Sequence, residues 1–193
     1  MNKSTSNGRS IPKKVIVGVL IASVIAISAI VILPSLLPRA NPPAITTLID
    51  LQALARAVEG FESEYEKLPN VSLLDFETEG PEAAKLITVL LGKEEGGQSN
   101  MQNPRQIAFL VGRMTKHRKQ GGIVSSSTYE VGGIYDSWSN PLRVALRPPG
   151  QSTITVSYLG KQVTTSKPAV VLSRGPDQKW GTEDDLISET EKG

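Results

Sequence analysis

The sequence predicts an α+β fold behind a single membrane helix, and three observations predict it. A 19-residue run, Val15 to Leu33, contains no charge, amide or proline. Behind it, apolar residues recur at helical spacing. From Tyr129 the pattern changes to short β-like stretches between turns, so helix precedes antiparallel strands.

The apolar run corresponds to roughly 28 Å of helix, close to the roughly 30 Å hydrocarbon core of a bilayer. Lys3, Arg9, Lys13 and Lys14 precede it, and all 19 acidic residues follow it. A basic flank stays on the cytoplasmic side. The expected organisation is a cytoplasmic leader over 1–14, a transmembrane helix over 15–33 and an exported domain over 34–193. The run is longer than the h-region of a cleavable signal, and Leu33 to Ala40 offers no clean Ala-x-Ala site. The reading is therefore an uncleaved anchor.

Pro34, Pro38, Pro42 and Pro43 punctuate the exit from that helix. An amphipathic helix is expected over 45–68, where Leu51, Leu54, Val58, Phe61, Tyr65 and Leu68 form one stripe. Thr47 and Asp50 resemble a capping box at its start. Gly60 lowers the propensity without ending the pattern. A second helix is expected from Pro81 to Leu91, with proline at its first position and Gly92 at its exit. Residues 93–103 read as a loop, and Gln106 to Val111 as a short apolar segment. Met114 to Ser127, with Lys116-His117-Arg118-Lys119, reads as a solvated basic loop. Strands follow at Leu142 to Leu146, Ser152 to Leu159, Gln162 to Thr165 and Ala169 to Ser173. The turns Asp136 to Pro141, Pro148-Pro149-Gly150 and Gly160-Lys161 separate them.

Composition narrows the chemistry. The chain has no cysteine, which excludes disulfides, thiolate catalysis and Cys-based zinc sites. The exported part is near neutral, because the basic leader accounts for the overall charge of +2. Nothing in it suggests a nucleic-acid partner. Asp136, His117, Ser125 to Ser127 and the Asp184–Asp185 pair are the only candidates for catalysis. No nucleophile motif, histidine pair or phosphate loop organises them, so an enzyme is not expected.

The segment Ser173 to Ser188 is the most informative loop. It is rich in Gly, Pro and carboxylates. Calcium takes six to eight oxygens in flexible geometry, and Asp177 with Asp184 and Asp185 could close this loop around one ion. The spacing is not that of an EF-hand, so on spacing alone the signal is weak and an acidic surface turn without metal is the favoured reading.

Three phrases then carry a resemblance. They are Phe61-Glu-Ser-Glu-Tyr-Glu-Lys-Leu-Pro69, Tyr135-Asp-Ser-Trp-Ser-Asn-Pro-Leu142, and Ser173-Arg-Gly-Pro-Asp-Gln-Lys-Trp-Gly-Thr-Glu-Asp-Asp-Leu-Ile187. In this order, behind a basic leader and an apolar helix, they resemble the major pseudopilin of type II secretion systems, within the type IV pilin-like superfamily. The resemblance runs from about residue 15 to 188. It implies a long N-terminal helix, membrane-spanning in its first half and amphipathic in its second, packed on a small antiparallel sheet. It implies a structural subunit in the bacterial inner membrane, N-terminus cytoplasmic and head periplasmic, assembling with other pseudopilin subunits and the secretion machinery. It further implies calcium in the C-terminal loop, with Asp177, Asp184 and Asp185 as side-chain ligands and the carbonyls of Leu172 and Trp180 as candidates.

Two departures accompany it. Gln178 stands where the family has glycine. Gly8-Arg-Ser-Ile-Pro-Lys-Lys stands where the family has a peptidase site followed by a glutamate inside the apolar helix. The alternative expectation is a solitary membrane-anchored module that keeps the pilin-like head and does not polymerise.

Overall fold

The computed structural model describes residues 42–95, 101–125 and 131–189. The leader and the membrane run expected over 1–33 lie outside the described residues. Among the described residues, no helix is long and apolar enough to cross a membrane. Residues 41–193 form one compact unit.

Helix α1 spans Pro42–Tyr65, three residues earlier at each end than the stripe predicts. Proline is favoured in the first turn of a helix, so the Pro42-Pro43 pair starts the helix instead of delaying it. Thr47 is consequently mid-helix and not a cap. It is fully buried, and its Oγ1 accepts a hydrogen bond from the Ser137 N–H at 3.1 Å. At the other end Glu66 takes φ 54°, a left-handed residue that terminates the helix. Leu51, Leu54, Val58 and Phe61 are completely buried. Each contributes about 1.5–3 kcal/mol by leaving water, so packing holds α1 in place more than propensity does.

The same packing explains Gly60. A Cβ there would stand 3.2 Å from Phe109 Cδ1, and Phe109 is what closes the aromatic cluster. Its ring meets Phe61 edge-on at 5.6 Å and Tyr65 at 6.0 Å. Residues 106–111 form neither strand nor helix. Buried Asn103 fixes their path instead. Its amide donates to the carbonyls of Val89 and Ile107, and its oxygen accepts from Tyr65 Oη at 2.7 Å and the Ile107 N–H at 3.0 Å.

Helix α2, Pro81–Leu90, matches its expected span to within one residue. Among the described residues nine strands accompany the helices: β1 Asp75–Glu77, β2 Met114–Thr115, β3 Gly122–Ser125, β4 Val131–Tyr135, β5 Arg143–Leu146, β6 Ile154–Tyr158, β7 Lys161–Thr165, β8 Ala169–Ser173 and β9 Leu186–Ile187. They make a four-stranded sheet in the order β1-β5-β8-β9, a three-stranded sheet β2-β3-β4 and a hairpin β6-β7. All pairs are antiparallel except the two-residue pairing of β2 with β3. Mixed α+β architecture with antiparallel sheets is therefore the fold class.

The larger sheet is covered on both faces. Val144, Leu146, Ala169 and Val171 pack with α1 and α2, while Ala145, Val170, Leu172 and Ile187 pack under Ile154 and Val156 of the hairpin. Thr78 links the two sheets. Its backbone N–H donates to Leu142 and its carbonyl accepts from Ile134, while its hydroxyl donates to the Ile134 carbonyl and accepts from the Leu142 N–H.

The basic stretch departs most from expectation. Residues 114–125 are not an open loop but contain β2, a 3₁₀ turn over Arg118–Gln120 and β3. Ile123 and Val124 are buried, and their apolar side chains draw the segment onto the core.

Candidate functional site

The turn and the C-terminal loop named by the sequence meet at the end of β8. Asp136, directly after β4, is completely buried. Its Oδ1 accepts the N–H groups of Trp138 and Asn140, both at 2.8 Å. Its Oδ2 accepts the Asn140 amide at 2.9 Å and the Ser173 hydroxyl at 2.6 Å. Four donors satisfy a carboxylate that burial alone would make costly. Asn140 also donates to the Gly175 carbonyl at 2.8 Å, and the Gly175 N–H donates to Ser173 Oγ. The turn thus grips the first residues of the loop. Asp136 is a structural hub, with its acceptor positions filled by the protein itself.

Leu172 lies within β8, opposite Arg143 on one side and Ile187 on the other. The loop leaves β8 after Ser173 and returns as β9. Gly175, at φ 61°, carries no Cβ because one would collide with the Asp184 backbone, so the two ends of the loop touch here. Gln178 adopts φ 63°. This is the left-handed conformation that glycine takes readily, so the loop keeps a glycine-like turn with a glutamine in it.

The three aspartates divide in role. Asp177 is exposed; its Oδ1 accepts the Lys179 N–H at 2.8 Å, and its own N–H donates to Asp184 Oδ2 at 3.0 Å. Asp184 Oδ1 accepts the Thr182 hydroxyl at 2.6 Å. The Thr182 hydroxyl, followed by the Asp177 N–H, holds the Asp184 carboxyl below the ordinary aspartate range. Asp185 is only 4% exposed. Its Oδ2 accepts the Gly181 N–H at 2.7 Å, whereas its Oδ1 is buried without a hydrogen-bond partner. Burial pushes the Asp185 carboxyl above its ordinary value, and the charges of Asp184 and Asp177 add to the rise.

Trp180, named above for its carbonyl, also has a conspicuous side chain. It is 39% exposed, with the Arg143 and Arg174 guanidinium groups 5.9 and 5.8 Å from its ring centre. Arg143 makes a two-pronged ion pair with Asp75, at 2.8 and 2.6 Å. Arg174 reaches Glu77 at 3.1 Å. The loop is therefore clamped onto β1 and β5 by stacked cations. Sequence reading missed this clamp, since Arg143, Arg174 and Trp180 share no motif and meet only through the strand order.

The donor set around Asp185 is all oxygen, the chemistry a hard cation requires. Among the described residues, no three acidic or histidine side chains converge closely enough to hold a metal ion. The fit to calcium thus rests on one orphaned carboxylate oxygen and its like-charged neighbours. Asp177 accepts a loop N–H group, and Asp184 a loop N–H group and the Thr182 hydroxyl.

No family model, curated protein or solved structure matches the chain.

Proposed function

We propose that this chain is a structural subunit resembling a type II secretion pseudopilin, anchored in the bacterial inner membrane and assembling with further copies through its N-terminal helix. The observation that carries this reading is on α1. Its buried stripe faces the sheet, yet Ile45 and Ile49, one turn apart on its outer face, are 49% and 60% exposed. Exposed apolar side chains on one helix face are the kind of surface that helix-to-helix assembly would cover. Ile45 stands twelve residues after the last residue of the apolar run, Leu33. The head is periplasmic in this reading, and calcium at Asp185, with Asp177 and Asp184 recruited from their loop bonds, stiffens its C-terminal loop. The ion would supply charge neutralisation and no chemistry.

The solitary anchored module is the second reading. The absent peptidase site and the absent glutamate in the apolar run favour it. Crosslinking separates the two. The chain has no cysteine, so Ile49→Cys introduces a unique thiol. Oxidation of the full chain in membranes gives a disulfide-linked dimer in the assembly reading, while Lys161→Cys on β7 gives none. A protein that stays monomeric at every position tested from 45 to 56 supports the solitary module and removes assembly.

A further inference from the structure

The connection from β2 to β3 builds a feature that the assembly reading does not use. Lys116 and His117 lead into the 3₁₀ turn Arg118–Gln120, and the four consecutive basic residues wall a cleft of about 640 Å³. Its opposite side includes Ser125 of β3 and Tyr135 of β4. The four basic side chains are all on exposed residues.

Their charges are not equivalent. Arg118 is committed: it ion-pairs with Glu79, and its guanidinium lies 4.7 Å from the centre of the Tyr135 ring. Among the described residues, no carboxylate pairs with Lys116, His117 or Lys119. Lysines outside any ion pair, such as Lys161, occur elsewhere among the described residues; what distinguishes this stretch is that its cations line one cleft. Here two ammonium groups and an imidazole border one concavity, and Glu79, the acid that reaches Arg118, is already taken. Such a cleft concentrates positive potential and attracts anions.

The donor types narrow the anion. Lysine ammonium groups bind phosphate as compact point charges, while arginine grips carboxylate and phosphate alike with two-pronged bonds. The one arginine present is held by Glu79. We propose that this cleft binds a phosphate group, with Lys116 and Lys119 supplying the charge, His117 a hydrogen bond, and the Arg118–Tyr135 stack a fixed wall. The phosphate can belong to a soluble ester or to an anionic phospholipid headgroup.

The chain itself supplies the reporter, because His117 is its only histidine. The experiment follows the His117 ring proton signals of the full chain in uncharged detergent, at fixed pH and ionic strength. Inorganic phosphate, phosphatidylglycerol doped into the micelles, and sodium chloride are titrated separately. A saturable shift with inorganic phosphate identifies a soluble ester, and one with phosphatidylglycerol alone identifies a headgroup. In either case Lys116→Gln/Lys119→Gln weakens binding at least about tenfold, Lys161→Gln leaves it unchanged, and Glu79→Gln, which releases Arg118, strengthens it. The exposed positions of both lysines keep the fold out of the readout. Shifts that do not saturate, that chloride reproduces, or that persist unchanged in the double variant overturn the proposal.

Discussion

Asp185 concentrates the electrostatic tension of the C-terminal loop. One of its oxygens is buried without a partner, and burial raises its pKa with help from Asp184 and Asp177. The folded protein therefore keeps this proton to a higher pH than the unfolded chain does. Stability from this group falls as pH rises through its folded pKa. Asp50 acts with the same sign, since burial outweighs the nearby Arg113. Asp184 acts oppositely: its lowered pKa gives stability above the ordinary aspartate value of about 3.9, lost in more acid solution. Without calcium, Asp185 and Asp50 thus add stability as pH falls towards the ordinary aspartate value of about 3.9, and Asp184 withdraws it in more acid solution. The melting temperature is therefore expected first to rise and then to fall on acidification from neutral pH. Asp185→Asn weakens the first slope without abolishing it, because Asp50 remains. If calcium sits here, adding it at neutral pH raises the melting temperature of the natural chain and not of Asp185→Asn. Equal melting curves in calcium and EGTA remove the metal while leaving the pH slope intact.

At the scale of elements, the sequence announces what periodicity governs. The α1 stripe, α2, the strands β5, β6 and β8 and the turns between them are all legible, because each carries its own local pattern. Where two influences compete, the pattern misleads. The Pro42-Pro43 pair reads as punctuation but starts a helix, and Lys116 to Lys119 hide the strand that Ile123 and Val124 draw inward. Strands β1 and β9 have three and two residues, too few for any alternation to register; only pairing with β5 and β8 defines them. The candidate loop follows the same division. Its turn signals and carboxylates are visible, but the Asp136 hub and the Trp180 clamp arise from contacts across the sheet order. Gln178 allows a test at this scale. A non-glycine residue in the left-handed region costs about 1–2 kcal/mol, and glycine returns part of that through its freer unfolded chain. Gln178→Gly is expected to raise stability by about 0.5 kcal/mol net, measured as a higher urea midpoint at unchanged slope. A lower midpoint would mean that the glutamine side chain supports the loop.

For the head as a whole, stability depends on a junction more than on any one element. Asp136 gathers its own turn and the beginning of the C-terminal loop, while the neighbouring Ser137 reaches Thr47 on α1. Removing the carboxylate leaves the Trp138 and Asn140 N–H groups, the Asn140 amide and the Ser173 hydroxyl short of an acceptor, around a position that is completely buried. Each such loss costs about 1–3 kcal/mol, so Asp136→Ala is expected to cost at least about 3 kcal/mol in chemical denaturation. Asp136→Asn retains acceptor capacity on one side and is expected to be milder. Equal stability of Asp136→Ala and the natural chain would show that the junction is dispensable.

That junction also imposes an order in time. Thr47 and Ser137 are 90 residues apart in the chain, and Asp136 waits 37 residues for Ser173. A ribosome delivers α1 and the turn well before the loop that completes them. Until Ser173 and Gly175 emerge, closing the core around Asp136 would bury a carboxylate lacking one of its partners. Partial chains are therefore discouraged from settling early, and the head commits to its final form only as its last strands arrive.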